Sequence, residues 1–157
     1  MSEAEKVLNG DKRIGLQPLS VFVRIIVMNK RVIGLGGIFF KAKDPQRMYE
    51  WYAKHLGIAG KPDEGSMFKW RRLEDPSHET FTVWSIFPQD TKYFNPSSAP
   101  FMINYQVEDL DAVLEALRAE GVTIDPKRED HEYGRFAWIM DPEGNRIELW
   151  QPPAKKE

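Results

Sequence analysis

The sequence predicts an α+β fold made of two βαβββ modules. Two observations lead there: a segment that recurs in disguise, and a proline-rich break between its copies. The first copy opens with Gly37-Ile-Phe-Phe-Lys-Ala-Lys-Asp44, continues as a helical stretch to Gly57 and closes with Phe81-Thr-Val-Trp84. The second opens with Met102-Ile-Asn-Tyr-Gln-Val-Glu-Asp109, runs through a helical stretch to Gly121 and closes with Ile147-Glu-Leu-Trp150. Between them, Pro88 to Pro100 carries three prolines, an aspartate and two adjacent serines, which is linker chemistry. The expected domain covers residues 32–152, with module one at 32–88, the linker at 88–100, module two at 101–152 and a tail at 153–157.

Each element has a local reason. Ile38 to Ala42 is apolar enough for a buried strand and runs into Asp44-Pro45, an N-cap followed by the helix position where proline costs little. Met48, Trp51 or Tyr52, and His55 or Leu56 then recur at helical spacing, and Gly57 supplies a left-handed stop. Gly60 to Gly65 reads as a loop, Met67 to Leu73 as a half-buried strand alternating apolar with basic residues, and Glu74 to Ser77 as a turn. Glu79 to Phe87, rich in threonine and aromatics, is the next strand.

Module two restarts with a strand at Ile103 to Val107. Asp109 caps a helix whose apolar stripe is Leu110, Val113, Leu114 and Leu117, and Gly121 ends it. Val122 to Ile124 is a short strand. Arg135–Met140 and Arg146–Trp150 form a hairpin around Asp141–Asn145, where Pro142 and Gly144 suit a type I turn followed by a left-handed residue.

A chain of 157 residues can bury roughly 70% of its unfolded surface, enough to enclose a cavity. Its net charge is only -2 with no long basic run, which points away from nucleic acid and anionic membranes as partners. With no cysteine there is no disulfide, thiolate nucleophile or thiolate metal site. The longest apolar run, Leu19 to Met28, is interrupted by Arg24 and is far short of the roughly 20 residues of a membrane span. It also lacks a secretory cleavage site, so a soluble cytoplasmic protein is expected. Residues 1–31 read as an N-terminal extension, of which 1–27 are expected to be an accessory arm or an over-extended start, not part of the fold.

The duplicated pattern, with Asp-Pro-Glu-Gly-Asn-Arg-Ile-Glu-Leu-Trp150 near the end, resembles the vicinal oxygen chelate superfamily of glyoxalases, bleomycin-resistance proteins and extradiol dioxygenases. The resemblance implies that the two modules pair curved sheets around a cavity, usually near a homodimer interface. Metal-using members of that family place ligands on the first and last strand of each module. Carried onto this sequence, those positions are Gly37, Thr82, Met102 and Glu148, and of these Glu148 alone suits a hard or borderline divalent ion. No metal and no cofactor are therefore expected.

Strand alternation puts Phe39, Lys41, Thr82, Trp84, Met102, Asn104, Gln106, Arg146, Glu148 and Trp150 on one face, toward the cavity. The opposite face, from Ile38 and Phe40 through Phe81 and Val83 to Ile147 and Leu149, is expected to lie under the helices. Tyr93 in the linker and Tyr133 before the hairpin are candidate ligand-contacting lid residues. Glu148 is the candidate catalytic residue: enclosed among aromatics it serves as a general base, or it is held in an ion pair with a base such as Lys41.

Three functions follow. The first is binding of a small aromatic or amphipathic molecule, without a metal, in a cavity of a homodimer. The second is a glyoxalase-like lyase or isomerase that uses Glu148 as general base or sole retained metal ligand. The third is an interaction module whose cavity is filled by its own side chains.

Overall fold

The computed structural model describes residues 30–154, so the expectation for residues 1–27 lies outside them. Along the chain come β1 (Val32–Ala42), α1 (Pro45–Leu56), β2 (Ser66–Arg71), β3 (Glu79–Pro88), β4 (Phe101–Val107), α2 (Leu110–Ala119), β5 (Ile124–His131), β6 (Gly134–Met140) and β7 (Arg146–Gln151). The seven strands form one mixed sheet in the order β2-β3-β1-β4-β7-β6-β5. This is the α+β class that the duplication predicts. Within each module the first strand runs parallel to the last, β1 beside β3 and β4 beside β7. The modules meet where β1 and β4 pair antiparallel, with Ile38 opposite Ile103. In module one the strand corresponding to β5 is reduced to a single bridge between Lys61 and Gly65, around a tight turn with Asp63 and Gly65 both at φ 68.

Both helices start and stop where their capping residues predict. Asp44 accepts from the Arg47 N–H at 3.0 Å and Asp109 from the Ala112 N–H at 3.0 Å, each relieving an orphan donor of the first turn. Gly57 ends α1 in the left-handed region at φ 69. The stripe of α2 is the predicted one: Leu110, Val113 and Leu114 are buried with Val107, Ala137 and Leu149, and Leu117 packs alongside. The stripe of α1 is rotated from the expected one. Tyr49 is its buried residue, flanked by Met48 and Tyr52 against Phe40, Trp84 and Ile86, while Trp51 and Leu56 are exposed.

Two segments differ from their sequence reading. In place of the strand expected at Val122 to Ile124, β5 begins at Ile124 and runs to His131, because an edge strand tolerates the charged run that disguised it. The segment joining the modules is fixed to the sheet: Phe94 and Ser97 are buried, and the Lys41 N–H donates to the Pro100 carbonyl at 2.7 Å. Among the described residues, no helix is long and apolar enough to cross a membrane.

The faces of β3 follow from its pairing with β1. Ile38 is level with Trp84 and Phe40 with Ile86, on the side covered by α1. Val83 and Phe87 therefore join Phe39, Met102, Phe94 and Trp138 on the face away from the helices. That second apolar cluster supports the site.

Tyr49 reaches from α1 to β3, its hydroxyl accepting from the buried Ile86 N–H at 2.9 Å. Tyr49→Phe leaves that buried N–H without an acceptor and is expected to lower stability by about 1–3 kcal/mol, read as a shifted urea midpoint with an unchanged slope.

Candidate functional site

Glu148 occupies the middle of β7 and is 2% exposed. Three elements bring it a donor each. The parallel pairing of β4 with β7 sets Asn104 beside it, and Asn104 Nδ2 donates to Oε1 at 2.6 Å. The β6–β7 hairpin sets Trp138 opposite, and its indole N–H donates to Oε2 at 2.9 Å. The inter-module segment delivers Tyr93, whose hydroxyl also donates to Oε2. The arrangement suits an ionised carboxylate, with donors on both oxygens. Burial nevertheless pushes the Glu148 carboxyl above its ordinary value, against the pull of the three hydrogen bonds and of Arg146. Burial, together with Glu148, also pushes the Tyr93 phenol up, so it remains a donor.

Arg146 holds the segment that carries Tyr93. Its Nη1 donates to the carbonyls of Tyr93 and Asn95 at 2.8 and 2.7 Å, and its Nη2 to Asp125 Oδ2 at 2.8 Å. The same guanidinium lies 4.9 Å over the Trp138 ring. A salt bridge and a cation–π contact thus fix both Oε2 donors.

Beside this network lies a cavity of 220 Å³, lined by Gly36, Phe39, Phe81, Val83, Asn104, Tyr133, Phe136, Glu148 and Trp150. Phe136 and Trp150 stack nearly parallel at 6.1 Å, and Phe81 meets the Trp150 ring at 5.3 Å. The Trp150 indole is oriented by the Tyr133 carbonyl, which accepts its N–H at 3.0 Å. Gly134 makes room for this, since a β-carbon there would come within 2.2 Å of the indole nitrogen. A wider groove of 610 Å³ shares Phe81, Tyr133 and Trp150 with the cavity wall. A separate groove of 730 Å³ around Lys43, Arg47 and Trp51 is not lined by Glu148.

Of the residues expected from the sequence, Phe39, Asn104, Glu148, Trp150 and Tyr133 line the cavity. Met102 is fully buried in the cluster with Phe39 and Trp138. Gln106 is also fully buried, accepting from Thr80 Oγ1 at 3.0 Å and donating to the Phe81 carbonyl at 2.8 Å. Lys41 lies 5.1 Å over the Phe94 ring and does not pair with Glu148, whose partners are neutral donors. Tyr93 is a fixed ligand of Glu148, not a lid residue.

Thr82 and Trp84 require correction. Trp84 packs under α1, and alternation puts Thr82 on the same side, where it accepts from Trp70 Nε1 at 2.9 Å and donates to the Leu35 carbonyl at 2.8 Å. The overlay is three residues out of register in β3, an odd shift that exchanges its two faces. Phe39 and Asn104 each stand five residues before their helix caps, Asp44 and Asp109. Phe39 pairs with Ser85 and Asn104 with Glu148, so Ser85 is the counterpart of Glu148. Both faces of β3 are largely apolar, so alternation alone could not separate them.

The sequence reading missed Phe81, Val83, Phe136 and Trp138. A signal for Trp138 was present: the five-residue turn Asp141–Asn145 sets Met140 opposite Arg146, and two steps back Trp138 falls opposite Glu148.

A family model described as the Glyoxalase/Bleomycin resistance protein/Dioxygenase superfamily matches residues 34–149. The chain belongs to this superfamily. No curated protein matches it in sequence. Similar solved structures include a variant of Streptomyces coelicolor methylmalonyl-CoA epimerase in complex with 2-nitronate-propionyl-CoA. It is 16% identical, with a TM-score of 0.57 over 80% of this chain and 99% of that one. A methylmalonyl-CoA epimerase in complex with methylmalonyl-CoA and NH4+ is 17% identical, with a TM-score of 0.55 over 78% of this chain and 96% of that one. At such identity the likeness is one of fold.

The superfamily's metal positions can be tested on the side chains present. Gly37 has none to offer, Thr82 lies on the other face and Ser85, which takes its place opposite Phe39, brings only a hydroxyl, Met102 presents a thioether, and Glu148 already accepts on both oxygens. Among the described residues, no three His, Cys, Asp or Glu side chains converge. This donor set does not fit a divalent ion.

The raised Glu148 carboxyl has a signed consequence for stability. Below the unfolded-state value the group is protonated in both states and carries no penalty. As pH rises from there through the folded value, the unfolded chain loses its proton first and stability falls. Glu148→Gln lacks this loss, so its stability relative to wild type is expected to rise as pH increases from about 4. Urea titrations of both proteins across that range check the sign.

Proposed function

We propose that this protein binds a small, flat, largely apolar molecule in the cavity beside Glu148, without a metal at the superfamily's usual positions. The observation that carries the reading is the cavity itself: 220 Å³ walled by Phe39, Phe81, Val83, Phe136 and Trp150, with two polar groups at one side. Apolar walls with a few placed polar groups are the usual chemistry of ligand sites. The volume lies below the roughly 300–1,000 Å³ of drug-sized pockets, which favours a one- or two-ring ligand. Stacked aromatic walls favour a planar one.

Binding is preferred to base catalysis because three donors already weaken the basicity of the Glu148 carboxylate, two on Oε2 and one on Oε1. A general base needs a lone pair directed at the substrate proton. Here the carboxylate orders the wall of a site. Association of two copies belongs to the same reading, since Leu35, Ile38 and Phe101 remain exposed along the β1–β4 pair.

Titration with a panel of small arenes, followed by tryptophan fluorescence and calorimetry, tests the reading. One saturable site per chain is expected, unchanged by chelator, with no product detectable by NMR. Trp150→Ala is expected to weaken binding at least about tenfold, or about 1.4 kcal/mol. Stoichiometric metal that is lost in Glu148→Gln, or turnover abolished by that substitution, would overturn it. Sedimentation is expected to give a mass near twice 18.2 kDa.

A further inference from the structure

The polar groups around the cavity are unequally matched, and the mismatch bears on which ligands it accepts. Asn104 is 3% exposed, and its Nδ2 donates to Glu148 Oε1. A carboxylate only accepts, so the amide orientation is fixed with nitrogen toward Glu148 and oxygen away from it. That oxygen, Oδ1, is buried and has no hydrogen-bond partner. It lies against Gly36, another cavity-wall residue, where a β-carbon would come within 2.0 Å of it. Leaving such an acceptor unpaired carries a desolvation cost, which a donor arriving with a ligand would recover.

The buried donors nearby are committed, and the Tyr133 side chain, a further cavity-lining group able to donate, is largely exposed. The Trp150 N–H is held by the Tyr133 carbonyl, while Trp138 and Tyr93 both donate to Glu148. A ligand group that only accepts therefore finds no partner among them, and an anionic ligand meets the Glu148 carboxylate.

Resting on the reading of this cavity as a ligand site, we infer that it selects planar arenes bearing an O–H or N–H donor, read by Asn104 Oδ1. Phenols, anilines and indoles belong to this class. Aryl ethers, furans and benzoates do not. The selection arises from what the site withholds as much as from what it offers.

Matched pairs provide the test: indole against benzofuran, which share one shape, and phenol against anisole, which adds a methyl group, with benzoate as the anionic case. In the wild-type protein each donor is expected to bind at least tenfold more tightly than its ether, and benzoate more weakly than either. Asn104→Leu, checked for folding by thermal denaturation, should erase the preference within each pair. If that variant does not fold, the wild-type ratios alone decide. Equal affinities within pairs, or a preference for the ethers, would overturn this inference while leaving the site reading intact. Absence of binding by every compound would overturn both.

Discussion

A carboxylate buried to 2% exposure can persist only if the chain supplies its hydration from within, and this requirement organises half of the sheet. Glu148 draws one donor from β4, one from β6 and one from the segment between the modules. Because those donors lie far apart in sequence, satisfying one side chain fixes the relative placement of three elements. Arg146, two residues away and on the same face, secures the least regular of them by its backbone carbonyls. The apolar cavity is what remains beside this network once Phe136 and Trp150 have stacked.

The two modules keep the same caps, the same helix-to-strand order and the same parallel pairing, yet their inner faces have diverged. Where module two has Glu148, module one has Ser85; where it has Asn104, module one has Phe39. The polar chemistry is concentrated in one half and the aromatic wall is shared by both. Superfamily membership therefore fixes the architecture, while these side chains set what the site can do.

Much of the fold was legible because its punctuation is chemical. Asp44-Pro45, Asp109, Gly57 and the Asp141–Asn145 turn each mark an element boundary by a mechanism that does not depend on distant contacts. The inner face of β4 and β7 was legible for another reason: Asn104, Gln106 and Glu148 alternate with apolar neighbours, so parity is readable. β3 has no such contrast, and its register depends on a long-range pairing with β1 that no local pattern reports. α1 posed a similar problem, since Trp51, Tyr52, Leu56 and Tyr49 compete for one buried face. The role of Tyr93 depends on Arg146 reaching across more than fifty positions of sequence, which composition reads only as a linker.

The strand order leaves β2 and β5 at the two margins of the sheet. Such margins present unpaired amides that invite further strands. Here β2 carries Lys69 and Arg71, both bridged to Glu79, and β5 carries Pro126, Lys127 and Arg128. Proline withholds a ladder donor, and the clustered charge makes strand-on-strand growth costly at either end. A sheet built around an internal cavity is thereby kept from extending into a fibre.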